Sequence, residues 1–141
     1  MKTSVHRLLL CFSAGSAGGL MNSIFVWLFG FIGINQLLGV AISPTLTPQW
    51  LYPRIVWGGL WGFVFIFMDL KKPISLTKVF LISLGPSLVQ LLIVFPFKAQ
   101  KGFLGLELGL LTPALVLFFN FVWGLVALLL LNKNRGNHVA F

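Results

Sequence analysis

Residues 14–29 read AGSAGGLMNSIFVWLF. The stretch carries no charge, and small residues recur in it four apart, as Ala14/Gly18 and Gly15/Gly19. At that spacing they share one helix face. In lipid, where apolar burial no longer drives helices together, such a face lets a second helix approach closely and hold by packing. One amide, Asn22, follows, and then a bulky aromatic half. The stretch therefore predicts a membrane helix with a small-residue contact face and one polar group at depth.

The rest of the chain fits that reading. Of 141 residues, 58% are hydrophobic and 9% charged, against about 25% charged in a soluble domain. The mean hydropathy is +1.01. The length allows one domain, residues 1–141, with about four spans of ~20 residues. The expected spans are 8–31, 48–69, 79–97 and 113–131. Thr47–Pro48 and Thr112–Pro113 each read as an N-cap followed by the first helical position. Pro53 is expected to kink the second span, and Gly85–Pro86 to bend the third. Ile32–Leu46 and Lys98–Leu110 are apolar but broken by polar residues and glycines, so short interfacial or re-entrant segments are expected there. Met1–Arg7 reads as a basic leader and Asn132–Phe141 as a basic tail. The run LLLCF is short for the core of a signal peptide, so the N-terminal stretch is taken into the first span.

The opening stretch recurs loosely. Ser83 and Ser87 stand where Gly15 and Gly19 stand, and Gln90 where Asn22 stands, 68 positions on. Leu38–Gly39 matches Leu104–Gly105, and Val56–Trp57–Gly58 matches Val122–Trp123–Gly124, both at an offset of 66. The fold class expected is an all-α integral membrane protein with four transmembrane helices, arranged as two tandem two-span repeats, 8–69 and 76–131. An even number of spans per repeat makes the halves parallel, related by an axis along the membrane normal. With cytoplasmic termini, seven of the ten basic residues lie on the cytoplasmic side, which favours that orientation. The expected location is a bacterial inner (cytoplasmic) membrane.

The formal net charge of +8 sits at the ends of apolar segments and forms no basic face, so no nucleic-acid partner is expected. Cys11 is the only cysteine, which rules out an internal disulfide, and it reads as a small apolar residue. The two acids, Asp69 and Glu107, and the two histidines, His6 and His138, assemble no nucleophile set, paired carboxylates or metal cluster. Neither catalysis nor a metal nor a cofactor is expected. The 15 Phe and 5 Trp read as packing and lipid-facing residues.

The candidate site residues are polar groups at depth. Asn22 and Gln90, in equivalent places, either line a shared central site or join helices by hydrogen bonds. Asn120, one turn before Gly124, reads as a packing residue. Glu107, near Lys98 and Lys101, reads either as an ion-contact group or as a solvated acid. Arg54, beside Trp50 and Tyr52, reads either as a contact for an anionic substrate or as a snorkelling interface anchor. Gly15, Gly19, Gly58, Gly62, Ser83, Ser87 and Gly124 are the expected helix-packing positions. The function expected is an oligomeric carrier or channel for a small solute or ion. The alternative is a non-catalytic accessory or assembly subunit of a larger membrane complex. The expected partners are the lipid bilayer and either further copies of the chain or other membrane subunits.

Overall fold

The computed structural model describes residues 2–139, and the side chains of residues 4–134 within them. Its elements are all helical: α1 Lys2–Phe31, α2 Ile34–Leu37, α3 Pro48–Gly62, α4 Leu76–Val89 and α5 Thr112–Val139, with no strand among the described residues. A 3-10 segment, Phe63–Phe67, extends α3, and a π-helical segment, Gln90–Lys98, extends α4. Four of these helical stretches are long and apolar enough to cross a membrane: Ser4–Phe31, Pro48–Phe67, Leu76–Lys98 and Thr112–Asn134.

Local chemistry sets most boundaries. The Thr47 hydroxyl accepts from Trp50 N at 3.2 Å, and Pro48 follows it as the first helical residue. Ser75 caps α4 in the same way through Lys78 N. The third helix therefore starts at Leu76, three residues before the expected start, and Lys78 lies in its first turn. Thr112, by contrast, is already helical, and its buried Oγ1 has no hydrogen-bond partner. The Thr-Pro pair that caps α3 does not cap α5. The expected leader and tail are also helical: α1 begins at Lys2 and α5 continues to Val139. Met1, Ala140 and Phe141, with the side chains of Lys2, Arg135 and His138, lie outside the described residues.

Pro53 and Pro86 both sit inside helices. Each lacks the N–H that would bond four residues back. Beyond Pro86 the backbone changes register rather than simply bending. From Gln90 it runs as a π-helix, ending with Ala99 N donating to Val94 O at 2.7 Å.

α1 and α3 pack glycine on glycine. A methyl group on Gly15 would meet Gly58 O and, at 2.7 Å, Gly62 Cα; one on Gly19 would meet Gly58 Cα at 3.2 Å. Gly15–Gly19–Ser23 thus faces Gly62–Gly58–Arg54 in antiparallel register, four residues per step on both helices. On its other side α1 packs along α5, and α5 along α4. Trp123 of α5 is 3% exposed, and its Nε1 donates to Gly15 O at 3.0 Å and Gly58 O at 3.2 Å. No comparable face joins α3 to α4, although Trp61 reaches toward Gly85.

The four long helices alternate in direction, so the molecule has a turn end (68–75) and a loop end (32–47 and 99–111). The turn end is closed by a core around Cys11, Phe65, Val79, Trp123 and Leu128. There Arg7 donates to Ile66 O and to Met68 O, filling carbonyls that the end of a helix leaves open. Ile74 N donates to Asn132 Oδ1 at 3.2 Å, tying the turn to α5. At the loop end the two long connections meet, with Ala41 N donating to Leu108 O at 2.8 Å. Neither connection is a further spanning helix. The first forms the four-residue α2 and then runs irregularly, held by the buried Asn35, whose Nδ2 donates to Ile42 O at 2.9 Å. Ala41–Pro44 then lies close over α1 at Gly30, where a methyl group would meet Ser43 Cα at 2.9 Å.

Candidate functional site

A cavity of about 330 Å³ lies where α3 and α4 part. Asn22 and Val26 of α1 and Val116 and Phe119 of α5 form its back. Trp50 and Arg54 of α3 line one side, and Gln90 and Phe95 of the π-helical segment the other. Residues 41–44 complete its lining from the loop end.

One run of side-chain hydrogen bonds crosses all four long helices beside this cavity. From α3, Arg54 Nε donates to Ser23 Oγ at 2.9 Å and Nη2 to Asn22 Oδ1 at 2.8 Å. Asn22 Nδ2 then donates to Phe119 O at 2.7 Å and Asn120 Oδ1 at 3.2 Å, reaching α5. Asn120 Nδ2 donates to Ser87 Oγ on α4 at 3.0 Å, with Gln90 Oε1 further off at 3.4 Å. The two serines work alike. Ser23 Oγ donates to Gly19 O and Ser87 Oγ to Ser83 O, each at 2.7 Å, which leaves the hydroxyl lone pairs for Arg54 and Asn120. Asn22, Ser23, Ser87 and Asn120 are all buried. A satisfied network of this kind holds its members in one arrangement.

The guanidinium of Arg54 also lies over the Trp50 ring, 4.7 Å from its centroid, within cation–π range. Its Nη1 has no hydrogen-bond partner among the described residues, and neither has Gln90 Nε2. No described carboxylate pairs with Arg54. Asp69 is at the turn end, exposed, where it accepts from Lys71 N.

Of the four candidate contact residues, Asn22, Gln90 and Arg54 come together at the cavity. Glu107 does not: its side chain is exposed on the second loop and forms no part of the lining. Asn120 bridges Asn22 to α4. Ser83 lies against Gly124, where a methyl group would meet Ser83 Cβ at 3.8 Å and Val79 Cγ1 at 2.7 Å. Ser23 and Trp50 belong to the site although sequence reasoning gave neither a role in it. Ser23 had a legible signal: it is four residues on from Gly19, on the contact face itself. Arg54 had the matching one, four residues before Gly58. No group of three or more His, Cys, Asp or Glu that would hold a metal ion occurs among the described residues. Comparison with protein-family models, curated proteins and solved structures gives no match.

Proposed function

We propose that the chain is a small integral membrane protein, of the bacterial inner membrane with both termini cytoplasmic, that carries or conducts a small solute or ion through the cavity between α3 and α4. The observation that carries this reading is the polar run from Arg54 through Asn22 and Asn120 to Ser87 and Gln90. Polar groups at that depth in lipid cost free energy unless they are partnered, and they mark solute paths when they also face a cavity. The π-helical turn at Gln90 fits, since irregular helix at membrane depth is tolerated where it lines a cavity.

The two-span repeat remains part of the proposal. Its support is that each half pairs its own helices through equivalent positions: Gly15 and Gly19 against Gly58, Ser83 against Gly124. Against a strict repeat, Trp57 is 60% exposed while its counterpart Trp123 is buried. The α1–α5 contact likewise lacks a counterpart between α4 and α3, and the cavity occupies that missing contact. An oligomer is part of the same proposal, because four helices enclose little space.

The second reading, an accessory subunit without turnover, is favoured by the outer face of α3. Tyr52, Val56, Trp57 and Leu60 are exposed there and offer an aromatic surface to lipid or to another subunit. The glycine faces are not available for docking, because α1 and α3 bury them against each other.

Flux into proteoliposomes separates the readings, with potassium, chloride, phosphate, benzoate and glycerol as probes. At least one should cross with the wild type. Asn22→Leu, which removes a bond that holds the Arg54 guanidinium in place, and Gln90→Leu, which removes the Nε2 donor, should each reduce that flux about tenfold or more in protein that still assembles, the scale of one or two lost polar contacts. Normal flux in a properly assembled double variant would overturn the path. No flux of any probe, with stable recovery in complex with other subunits, would favour the accessory role.

A further inference from the structure

We infer that the cavity takes a compact oxyanion, a carboxylate or phosphate group on a small apolar body, with Arg54 as its principal contact. The inference names the ligand class of the transport site proposed above and rests on reading that cavity as a solute site.

Charge comes first. Among the described residues, Arg54 is the only charged one lining the cavity, and no described carboxylate pairs with it. It lies six residues into α3, about 9 Å along the axis at ~1.5 Å per residue. A cation at that depth is stable when it is hydrogen-bonded and when an anion can approach it. A cationic solute would meet uncompensated repulsion.

Donor geometry comes second. The network fixes the guanidinium through Nε and Nη2, and Trp50 supports its face, while Nη1 stays without a partner. A guanidinium so held presents a planar fork, which suits an oxyanion. The acceptors of the network are already engaged: Asn22 Oδ1 by Arg54, Asn120 Oδ1 by Asn22, the oxygens of Ser23 and Ser87 by Arg54 and Asn120, and Gln90 Oε1 by Asn120 at 3.4 Å. Across the cavity, Gln90 adds a second unpartnered donor, Nε2. The site is therefore rich in donors.

Shape comes third. Val26, Phe95, Val116 and Phe119 supply apolar walls beside the polar end. About 330 Å³ holds roughly ten waters at ~30 Å³ each, enough for a benzoate-sized body. The anionic group belongs either to a free solute or to a lipid headgroup, and binding by different probes tells these apart.

The test uses the full chain purified in a neutral detergent, with calorimetric titration at constant ionic strength. The probes are benzoate, inorganic phosphate and phosphatidylglycerol in mixed micelles; benzamide and benzylamine are the neutral and cationic controls. At least one oxyanion probe should bind saturably, and both controls should fail. Arg54→Gln should weaken binding about tenfold or more, the scale of one lost charge-assisted contact. Arg54→Lys, which keeps charge but loses the fork, and Gln90→Leu should weaken it less. Benzoate or phosphate binding identifies a free-solute site, and phosphatidylglycerol alone identifies a headgroup site. Absence of binding by every oxyanion probe overturns the inference, as does undiminished binding in folded Arg54→Gln. Should Arg54→Gln fail to fold, wild-type affinity in both Arg54→Lys and Gln90→Leu overturns it equally. Oxyanion binding without flux refutes the transport reading and leaves the site standing. Flux without oxyanion binding does the reverse.

Discussion

At the residue scale the molecule turns on two amides and a cation that the sequence presented separately. Asn120 is the member that links α1 to α4 through α5, because it accepts from Asn22 on α1 and donates to Ser87 on α4. Asn120→Leu leaves Asn22 its bond to Phe119 O but severs the connection to α4. The expected loss is about 1–2 kcal/mol, the scale of hydrogen bonds between helices in lipid. It is read as a lowered melting temperature in detergent, and an unchanged melt would show that the link is not structural. Asn22, Gln90 and Asn120 were legible because an amide inside an apolar run stands out. The direction Arg54 faces was not legible from its neighbours Trp50 and Tyr52, which suggest an interface anchor equally well. It follows from the rotation of α3, and Gly58 and Gly62 fix that rotation by facing α1. The exposed Glu107 shows the converse. A lone acid in an apolar segment draws attention whichever way its loop turns it.

At the element scale the decisive contact is the glycine face between α1 and α3. A methyl group at Gly15 or Gly58 would strike backbone of the opposite helix: Gly62 Cα at 2.7 Å from the first, Gly19 Cα at 2.7 Å from the second. Backbone cannot rotate aside as a side chain can, so the helices must separate. Gly15→Ala and Gly58→Ala should each cost about 1–3 kcal/mol, typical of overpacking. Gly85→Ala should cost less, because its nearest neighbour is the edge of the Trp61 ring at 3.1 Å. Thermal melts of the three variants check the ranking, and a Gly85 variant as damaged as the other two would contradict it. The four long helices and this contact face were readable from hydropathy and four-residue spacing, since both depend on short-range sequence alone. The paths of the two connections were not. Residues 32–47 and 99–111 are placed by contacts with each other and with Gly30, distant partners that no local pattern encodes. The Thr112–Pro113 pair failed as a cap for a similar reason: the chain enters α5 already turning, and the threonine hydroxyl is buried.

At the scale of the whole molecule, the cavity lies toward the loop end, and the turn end is sealed by Phe65, Trp123 and their neighbours. Under the transport proposal, a core that closes the turn end favours a carrier over an open channel, because a solute that enters could leave on the far side only if helices move. The splayed pair α3 and α4 is the natural place for that movement, since α1 and α5 are locked together by Trp123. Charge is the argument for which side the cavity faces. Arg7, Lys71, Lys72, Lys78 and Lys133 lie at the turn end, whereas the other end holds Lys98, which closes the π-helical segment, and Lys101 on the second loop. In the orientation proposed above, which the positive-inside rule favours, the turn end is cytoplasmic and the cavity lies toward the opposite side. Cys11 is 0% exposed, so Cys11→Ala provides a background without competing label. In that background Thr45→Cys, on the first loop, should react with a membrane-impermeant maleimide in intact cells. Thr77→Cys, at the turn end, should react only after permeabilisation. The reverse pattern would turn the cavity to the cytoplasm and make the basic turn end a surface for the outer leaflet. Partial labelling of both in intact cells would mean that the chain inserts both ways, so that cavities open on both faces of the membrane.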